Sequence, residues 1–382
     1  MRAAALLLAL VASSALAGDD LTPLTDEFDD ASTLAQWQRV YLVEQWNANQ
    51  LELQDINNTR PGHMVMMPFT STWFDDYRGE LTFKQVQGDF VVTSQVDVSQ
   101  RGGAGAPRSN YSLGGLMIRN PRQVTPATWH PGGENYVFLS LGAASIPGTL
   151  QFEVKTTTNS NSVLFITDGV SSAIIQIARI GPYVITLHSV GGVWSVHRRF
   201  YRPDFAQIMQ VGMTTYTDFA TCSMYQPFVH NSMVIHAGNP DLVAAYDYVR
   251  FERPNVPANL TNANFMDTVA VTDSMLLSFL GANATANAPS IDGQPSDVGV
   301  TRGGTASFHV SASGAALRYQ WRKNGIDLPN ATSSTLAMTN VQPSDAATYS
   351  VVVTNAAGTA TSREARLTVV PQTPPRRRAV RG

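Results

Sequence analysis

Apolar and polar residues alternate with a period of two along most of the chain. The clearest runs are QGDFVVTSQVDVS (87–99), ENYVFLSLG (134–142), LQFEVKTTT (150–158), SVLFITDG (162–169), SAIIQIARIG (172–181), YVITLHSVGGVWSVHRRF (183–200) and AAYDYVRFER (244–253). They are rich in Val, Ile, Phe and Tyr, and Gly, Pro and Asn separate them, which predicts short strands joined by turns. Gly191-Gly192 carries the two-glycine signal of a tight hairpin. With no long helical period between the runs, residues 24 to about 254 are expected to form an antiparallel sandwich or barrel. In YSLGGLMIRN (111–120), Leu116 and Ile118 facing a core would put Met117 and Arg119 together on the opposite face.

The texture changes after Pro254. Residues 255–288 are rich in Asn, Ala and Thr and read as a linker with one ordered candidate, TDSMLLSFLG. There Thr272 or Asp273 would cap a short helix that Gly281 ends. Its Leu276, Leu277 and Leu280 would pack on a neighbouring domain, or the helix would only stiffen the connection. Strand patterning resumes over residues 289–370. The last stretch, 371–382, holds PQTPPRRRAVRG and is expected to be disordered. It reads as a charged, solubilising end or as a dock for anionic envelope polymers.

Composition narrows the class. Only 14% of the residues are charged and the formal net charge is −3, so nothing draws the chain to nucleic acid or to a membrane surface. Residues 1–17 combine Arg2, an apolar run and Ala15-Leu16-Ala17, a secretory signal peptide with cleavage expected after Ala17. No later stretch is apolar for ~18 residues, so no transmembrane segment is expected. Secretion favours disulfides, yet Cys222 is the one cysteine and cannot form an intrachain bridge. It is read as a small buried apolar residue.

In so weakly charged a chain, an arginine at the end of an apolar strand is conspicuous. If GGLMIRN and ENYVFLSLG are neighbouring antiparallel strands, Arg119 can reach Glu134 or Asn135 across the ladder. Arg119 is then either an ion-pair partner of Glu134 or a ligand contact. The acidic groups DEFDD (26–30), FDDY (74–77) and YDY (246–248) lack the spacing of a catalytic pair. DEFDD reads as a solvated edge or, alternatively, a calcium ligand set. WFDDYRG (73–79) either lines a site or is a surface loop whose Trp73 packs on the sandwich and whose Asp-Arg pair is incidental. His188 and His197 flank the glycine hairpin and could face each other, but the seven histidines show no metal-ligand spacing. No G-x-S-x-G elbow is present.

Several stretches in order resemble the concanavalin A-like lectin/glucanase superfamily, in its branch of bacterial secreted proteins: DEFDD with Trp37, WFDDYRGELTFKQVQGDFVVT (73–93), GGLMIR (114–119), ENYVFLSLG, MQVGMTT (209–215) and YDYVRFERP (246–254). The resemblance implies an all-β fold, a jelly-roll β-sandwich over residues 18–254 whose concave face meets carbohydrate as a binding module or an enzyme. The glucanase pattern E-x-D-x-x-E is absent, so an enzyme, whether glycoside hydrolase or lyase, would need an atypical site. Sugars are held by aromatic faces and planar hydrogen-bonding groups. The carbohydrate-binding candidates are therefore Arg119, Trp129, Glu134, Asn135, Trp73 and Trp194.

Residues 289–370 resemble an immunoglobulin-like module of the I-set kind. Trp321 matches the core tryptophan and D-x-A-x-Y at Asp345 to Tyr349 the tyrosine corner. Val310 and Val351 stand where that family pairs cysteines, so two valines are expected to pack on Trp321. The expectation is a secreted or cell-surface, non-catalytic carbohydrate-binding or adhesion protein, with a polysaccharide-degrading enzyme of atypical site or a purely structural cell-envelope protein as the alternatives. Its partners would be a polysaccharide or glycoconjugate, or alternatively other envelope proteins. No cofactor is expected, with calcium as the one alternative.

Overall fold

The computed structural model describes residues 19–281, 289–313, 317–355 and 358–371. The signal-peptide reading, residues 282–288 of the linker and nearly all of the basic tail lie outside them. Among the described residues no helix is long and apolar enough to cross a membrane.

Two antiparallel sheets face each other in the first unit. One has seven strands in the order Gln38–Arg39, Glu80–Gln87, Ile208–Tyr216, Ser112–Arg119, Tyr136–Ala143, Gln151–Thr158 and Asn161–Asp168. The other has eight, running from Val193–Tyr201 through Tyr183–Val190, Ser172–Ile180, Phe90–Ser99, Val243–Tyr246 and Met64–Pro68 to Leu51–Ile56, with Arg250–Glu252 also on Phe90–Ser99. Alternation along the strands fills the space between the sheets. Leu116, Ile118, Val137, Leu139 and Val154 come from one side and meet Val92, Val96, Ile175 and Ile177 from the other. Full burial of such side chains stabilises the fold by roughly 1.5–3 kcal/mol each.

The glycine hairpin forms as expected, with Gly191 and Gly192 at φ 59° and 84°, joining the Tyr183–Val190 and Val193–Tyr201 strands. The run AAYDYVRFER becomes two strands. Against Phe90–Ser99, Tyr246 pairs with Val96 and Arg250 with Thr93, so four steps on one strand oppose three on the other. This bulge places both Val249 and Phe251 in the core with Tyr246. The Leu51–Ile56 and Met64–Pro68 strands have no counterpart among the sequence runs, because MVMMP is apolar throughout and LELQDI is short.

The outer faces of both sheets are covered. Residues 256–281 lie on the eight-stranded sheet, where Leu260, Phe265, Val271, Leu276, Phe279 and Leu280 pack against Val91, Ala178, Ile180, Ile185 and Leu187. The helix Asp273–Leu280 is capped by the Thr272 hydroxyl, which accepts from the Met275 N–H at 3.3 Å, and it stops at Gly281. Leu276 and Leu280 are buried as the sequence pattern anticipated, and Phe279 joins them.

DEFDD is a tie rather than a solvated edge. Asp26 bridges to Val249 and accepts from the Trp37 indole at 2.8 Å. Glu27 pairs with Arg250, Asp29 accepts from the Ser334 hydroxyl and Asp30 from the Ser32 N–H. The carboxylates thus serve separate partners. Among the described residues no cluster of three or more His, Cys, Asp or Glu side chains is placed to hold a metal ion.

The C-terminal unit is an immunoglobulin-like sandwich. Val310, Trp321, Tyr349 and Val351 are all at most 1% exposed and share one core with Phe308 and Leu367. The Tyr349 hydroxyl donates to the Asp345 carbonyl at 2.8 Å, which closes the tyrosine corner. The Trp321 indole donates to the Ser333 carbonyl at 2.9 Å.

Candidate functional site

The outer face of the seven-stranded sheet gathers most of the candidate residues. Period-two alternation on Ser112–Arg119 turns Leu113, Met117 and Arg119 outward, opposite to Leu116 and Ile118. Arg119 pairs in register with Tyr136 on one neighbour and Gln210 on the other. Glu134, two residues before Tyr136, therefore comes up on the same face.

Protein groups take four of the five N–H donors of the Arg119 guanidinium. Its Nε and Nη2 donate to the two oxygens of Glu134 at 2.8 and 3.1 Å, and its Nη1 donates to Glu44 at 2.8 Å and Gln210 at 2.6 Å. Arg119 and Glu134 are both 0% exposed. Arg122 adds a contact to Glu134 at 2.8 Å. Gly133 makes room for it, since a Cβ there would stand 2.4 Å from an Arg122 nitrogen. Arg78 forms ion pairs with Glu44 and, at 3.2 Å, with Glu134.

Arg78 comes from WFDDYRG, so that segment is neither an open site nor a surface loop with an incidental pair. Arg78 is buried, and the neighbouring aspartates have other partners. Asp76 accepts from the Ser160 hydroxyl at 2.5 Å and the Gly132 N–H at 2.9 Å, and Asp75 accepts from the Ser162 N–H at 3.0 Å. Trp73 is 0% exposed, donates to the Glu80 carbonyl at 2.9 Å and has the Arg119 guanidinium 5.5 Å from its ring centre.

Charge competes with burial here. Burial works to raise the pKa of Glu134, but Arg119, Arg78 and Arg122 outweigh it and hold the carboxyl at about 2. Burial draws Arg78 down to about 9, with Glu134 opposing and the adjacent arginines reinforcing the shift. A second charged pair lies under the same roof. Lys155 donates to the Trp73 carbonyl at 2.7 Å, pairs with Glu153 at 3.0 Å and sits 4.8 Å from the Phe138 ring centre. Burial lowers the pKa of Lys155 against the pull of Glu153.

A glycosidase acid needs a carboxyl whose pKa is raised and which the sugar can reach. Glu134 is ionised, enclosed and bonded at both oxygens. The face is roofed by residues 40–50 and 69–79 and by the short helices Phe219–Cys222 and Pro227–Ser232. Cys222 is buried in that roof, and burial pushes its thiol up and out of the reactive range.

The remaining candidates lie elsewhere. Asn135 accepts from the Asn159 N–H at 2.9 Å, at the rim of the face. Trp129 is half-buried in an aromatic triad, 6.4 Å from Trp46 and 5.6 Å from Phe228. Trp194 is on the other sheet, packed against the 256–281 cover. Arg119, Glu134 and Trp73 thus converge, Asn135 and Trp129 border them, and Trp194 does not join. His188 and His197 do meet, with their Nδ1 atoms 3.1 Å apart.

Sequence reasoning missed Glu44, Arg122 and Gln210. For Glu44 and Arg122 the one signal was the scarcity of charge, which makes each isolated charge in an apolar context a candidate partner for another; Gln210, uncharged, carried none. It also missed a groove of about 320 Å³ at the sandwich edge, lined by Leu34, Trp37, Arg39, Asn49, Glu52 and Gln54, with Leu51 at its base.

In comparison with known proteins, the C-terminal unit is similar to immunoglobulin domains. An immunoglobulin-domain family model matches residues 288–355. A curated relative, the muscle M-line assembly protein unc-89 of Caenorhabditis elegans, is 43% identical over 77 residues, which cover 18% of this chain and 1% of that protein. The chain therefore spans a very small part of the relative it matches. Among solved structures, a chimeric titin Z1Z2 is 28% identical over 23% of this chain and 99% of its own, with a TM-score of 0.21. A functionally unknown protein from Saccharomyces cerevisiae is 12% identical over 58% of this chain and 99% of its own, with a TM-score of 0.39.

Proposed function

We propose that this chain is a secreted, non-catalytic carbohydrate-binding adhesion protein, with a lectin-like first sandwich and an immunoglobulin-like module as spacer or adhesion unit. One observation carries the non-catalytic part. The carboxylates beneath the roof are committed to cations: Glu44 and Glu134 to arginines and Glu153 to Lys155. Glu134, held at about 2 by its arginines, is the opposite of the raised carboxyl that protonates a leaving group. The order of motifs resembling the concanavalin A-like superfamily supports a hydroxyl-bearing polymer as ligand. The signal peptide read at residues 1–17 supports export, and the match to immunoglobulin domains supports the role of the second unit.

The test is retention on a panel of immobilised plant and algal polysaccharides, with each polysaccharide also assayed for new reducing ends or unsaturated products. Retention without products is the expected result. Products would establish an enzyme with an unfamiliar site. Absence of retention, with a pull-down recovering protein alone, would replace the glycan by a protein partner.

A further inference from the structure

The groove at the sandwich edge lies where the end strands of the two sheets, Gln38–Arg39 and Leu51–Ile56, come together without pairing. Its volume, about 320 Å³, is at the lower end of the range for small-ligand sites. None of its lining residues touches Arg119 or Glu134.

Its polar side chains are held in place from behind. Arg39 donates through Nε and Nη2 to Glu80 at 3.0 and 2.7 Å, and Nη2 also donates to Asn49 at 2.6 Å. Gln54 donates to the Thr82 hydroxyl at 2.8 Å. Glu52 accepts from Arg101 at 2.5 Å. These contacts leave Nη1 of Arg39 and Nδ2 of Asn49 as donors, and Oε1 of Gln54 and one oxygen of Glu52 as acceptors, without a partner among the described residues. Donors and acceptors thus stand side by side, beside an apolar wall of Leu34 and the edge of Trp37. A hydroxyl both donates and accepts, so this mixture suits it.

Charge narrows the ligand further. Arg39 is balanced by Glu80 and Arg101 by Glu52, so the lining carries no uncompensated charge to draw an anion or a cation. From this geometry we propose that the edge groove is a binding site for an uncharged sugar unit, with its C–H face on Leu34 and Trp37 and its hydroxyls on Arg39, Asn49, Glu52 and Gln54. The proposal rests on the carbohydrate-binding reading and gives it a place and a ligand class.

The experiment titrates the full chain with neutral oligosaccharides of glucose, xylose, mannose and galactose, and with polygalacturonate as an anionic control, following the indole N–H resonances by NMR. The expected result is a saturable shift of the Trp37 resonance with at least one neutral sugar. Gln54→Ala should weaken that binding roughly tenfold, the scale of one lost hydrogen bond. Glu52→Lys should abolish it by filling the groove. The Glu52 side chain is 48% exposed, so that variant should melt like the parent. Val269→Ala, at an exposed position in the cover of the other sheet, should leave binding unchanged. Saturable neutral-sugar binding that both groove variants retain would overturn the groove while leaving the carbohydrate reading intact. Binding of polygalacturonate alone would overturn the neutral-ligand assignment, and binding of none of the sugars would remove the proposal together with the reading beneath it.

Discussion

The two outer faces of the first sandwich solve one problem in opposite ways. Each sheet buries one side against the other, and each covers its second side with chain from outside the sheet. On the eight-stranded sheet the cover is apolar, with Leu276, Phe279 and Leu280 on Ile185 and Leu187. On the seven-stranded sheet it is a mixture of rings and ions, with Arg119, Arg78 and Arg122 around Glu134. An apolar cover tolerates small displacements at modest cost, because dispersion and burial have little directionality. An enclosed ion network does not, since each lost partner leaves a desolvated charge. The same contrast separates a site that could open to a ligand from one built to stay shut.

The largest effect should follow removal of the shared anion. Glu134→Ala would leave Arg119, Arg78 and Arg122 facing one another and should cost about 3–5 kcal/mol, read as a fall in the urea midpoint. Leu276→Ala, on the other face, should cost about 2–3 kcal/mol, toward the lower end for buried leucine because the cover can settle. Equal losses in the two variants would remove the distinction between the faces.

Acid should act in two stages. Burial lowers His188, and burial with the charges of His188 and Arg198 lowers His197 to about 4. Burial also lowers His230 to about 4, against a bond to Asn231. Folded pKa values below the unfolded value of 6.5 mean that the unfolded chain takes up protons first. Their contribution is complete above pH 6.5 and is lost as pH falls toward 4. Glu134, held at about 2 against 4.5, loses its contribution between those values. Melting temperature against pH should therefore decline over the histidine window, more gently in His197→Asn, and go on declining below pH 4.5 as Glu134 is protonated. An unchanged slope in His197→Asn would remove that histidine from the first stage.

The smallest effect should come from Asp273→Ala at the edge of the apolar cover. Its carboxylate is 62% exposed and pairs with Arg199 at the start of the helix, so the loss should be at most about 1 kcal/mol and should shrink in high salt. A larger loss would mean that this cover also depends on charge.

Legibility followed the distance over which each feature is encoded. The tyrosine corner joins Asp345 to Tyr349, and the glycine hairpin joins adjacent residues, so local spacing was enough. The pairing of Arg119 with Glu134 was one of two readings that neighbouring strands offered for that arginine, since register converts sequence separation into contact. Glu44, Gln210 and Arg78 reach the same cluster from three other segments, and no local pattern ties them together. The edge groove was equally invisible, because it exists only where two sheets end beside each other.

By itself, then, the sequence determined an all-β chain, the inward and outward sides of most strands, and an immunoglobulin-like core closed by valines instead of cysteines. Period-two alternation and turn chemistry are local properties, which is why they could be read directly. Only the tertiary structure decided that the most conspicuous arginine and glutamate are enclosed partners and that a neutral groove stands open elsewhere. Whether a polar side chain meets water or another side chain depends on which distant segments cover it, and burial of that kind is a property of the whole packed chain.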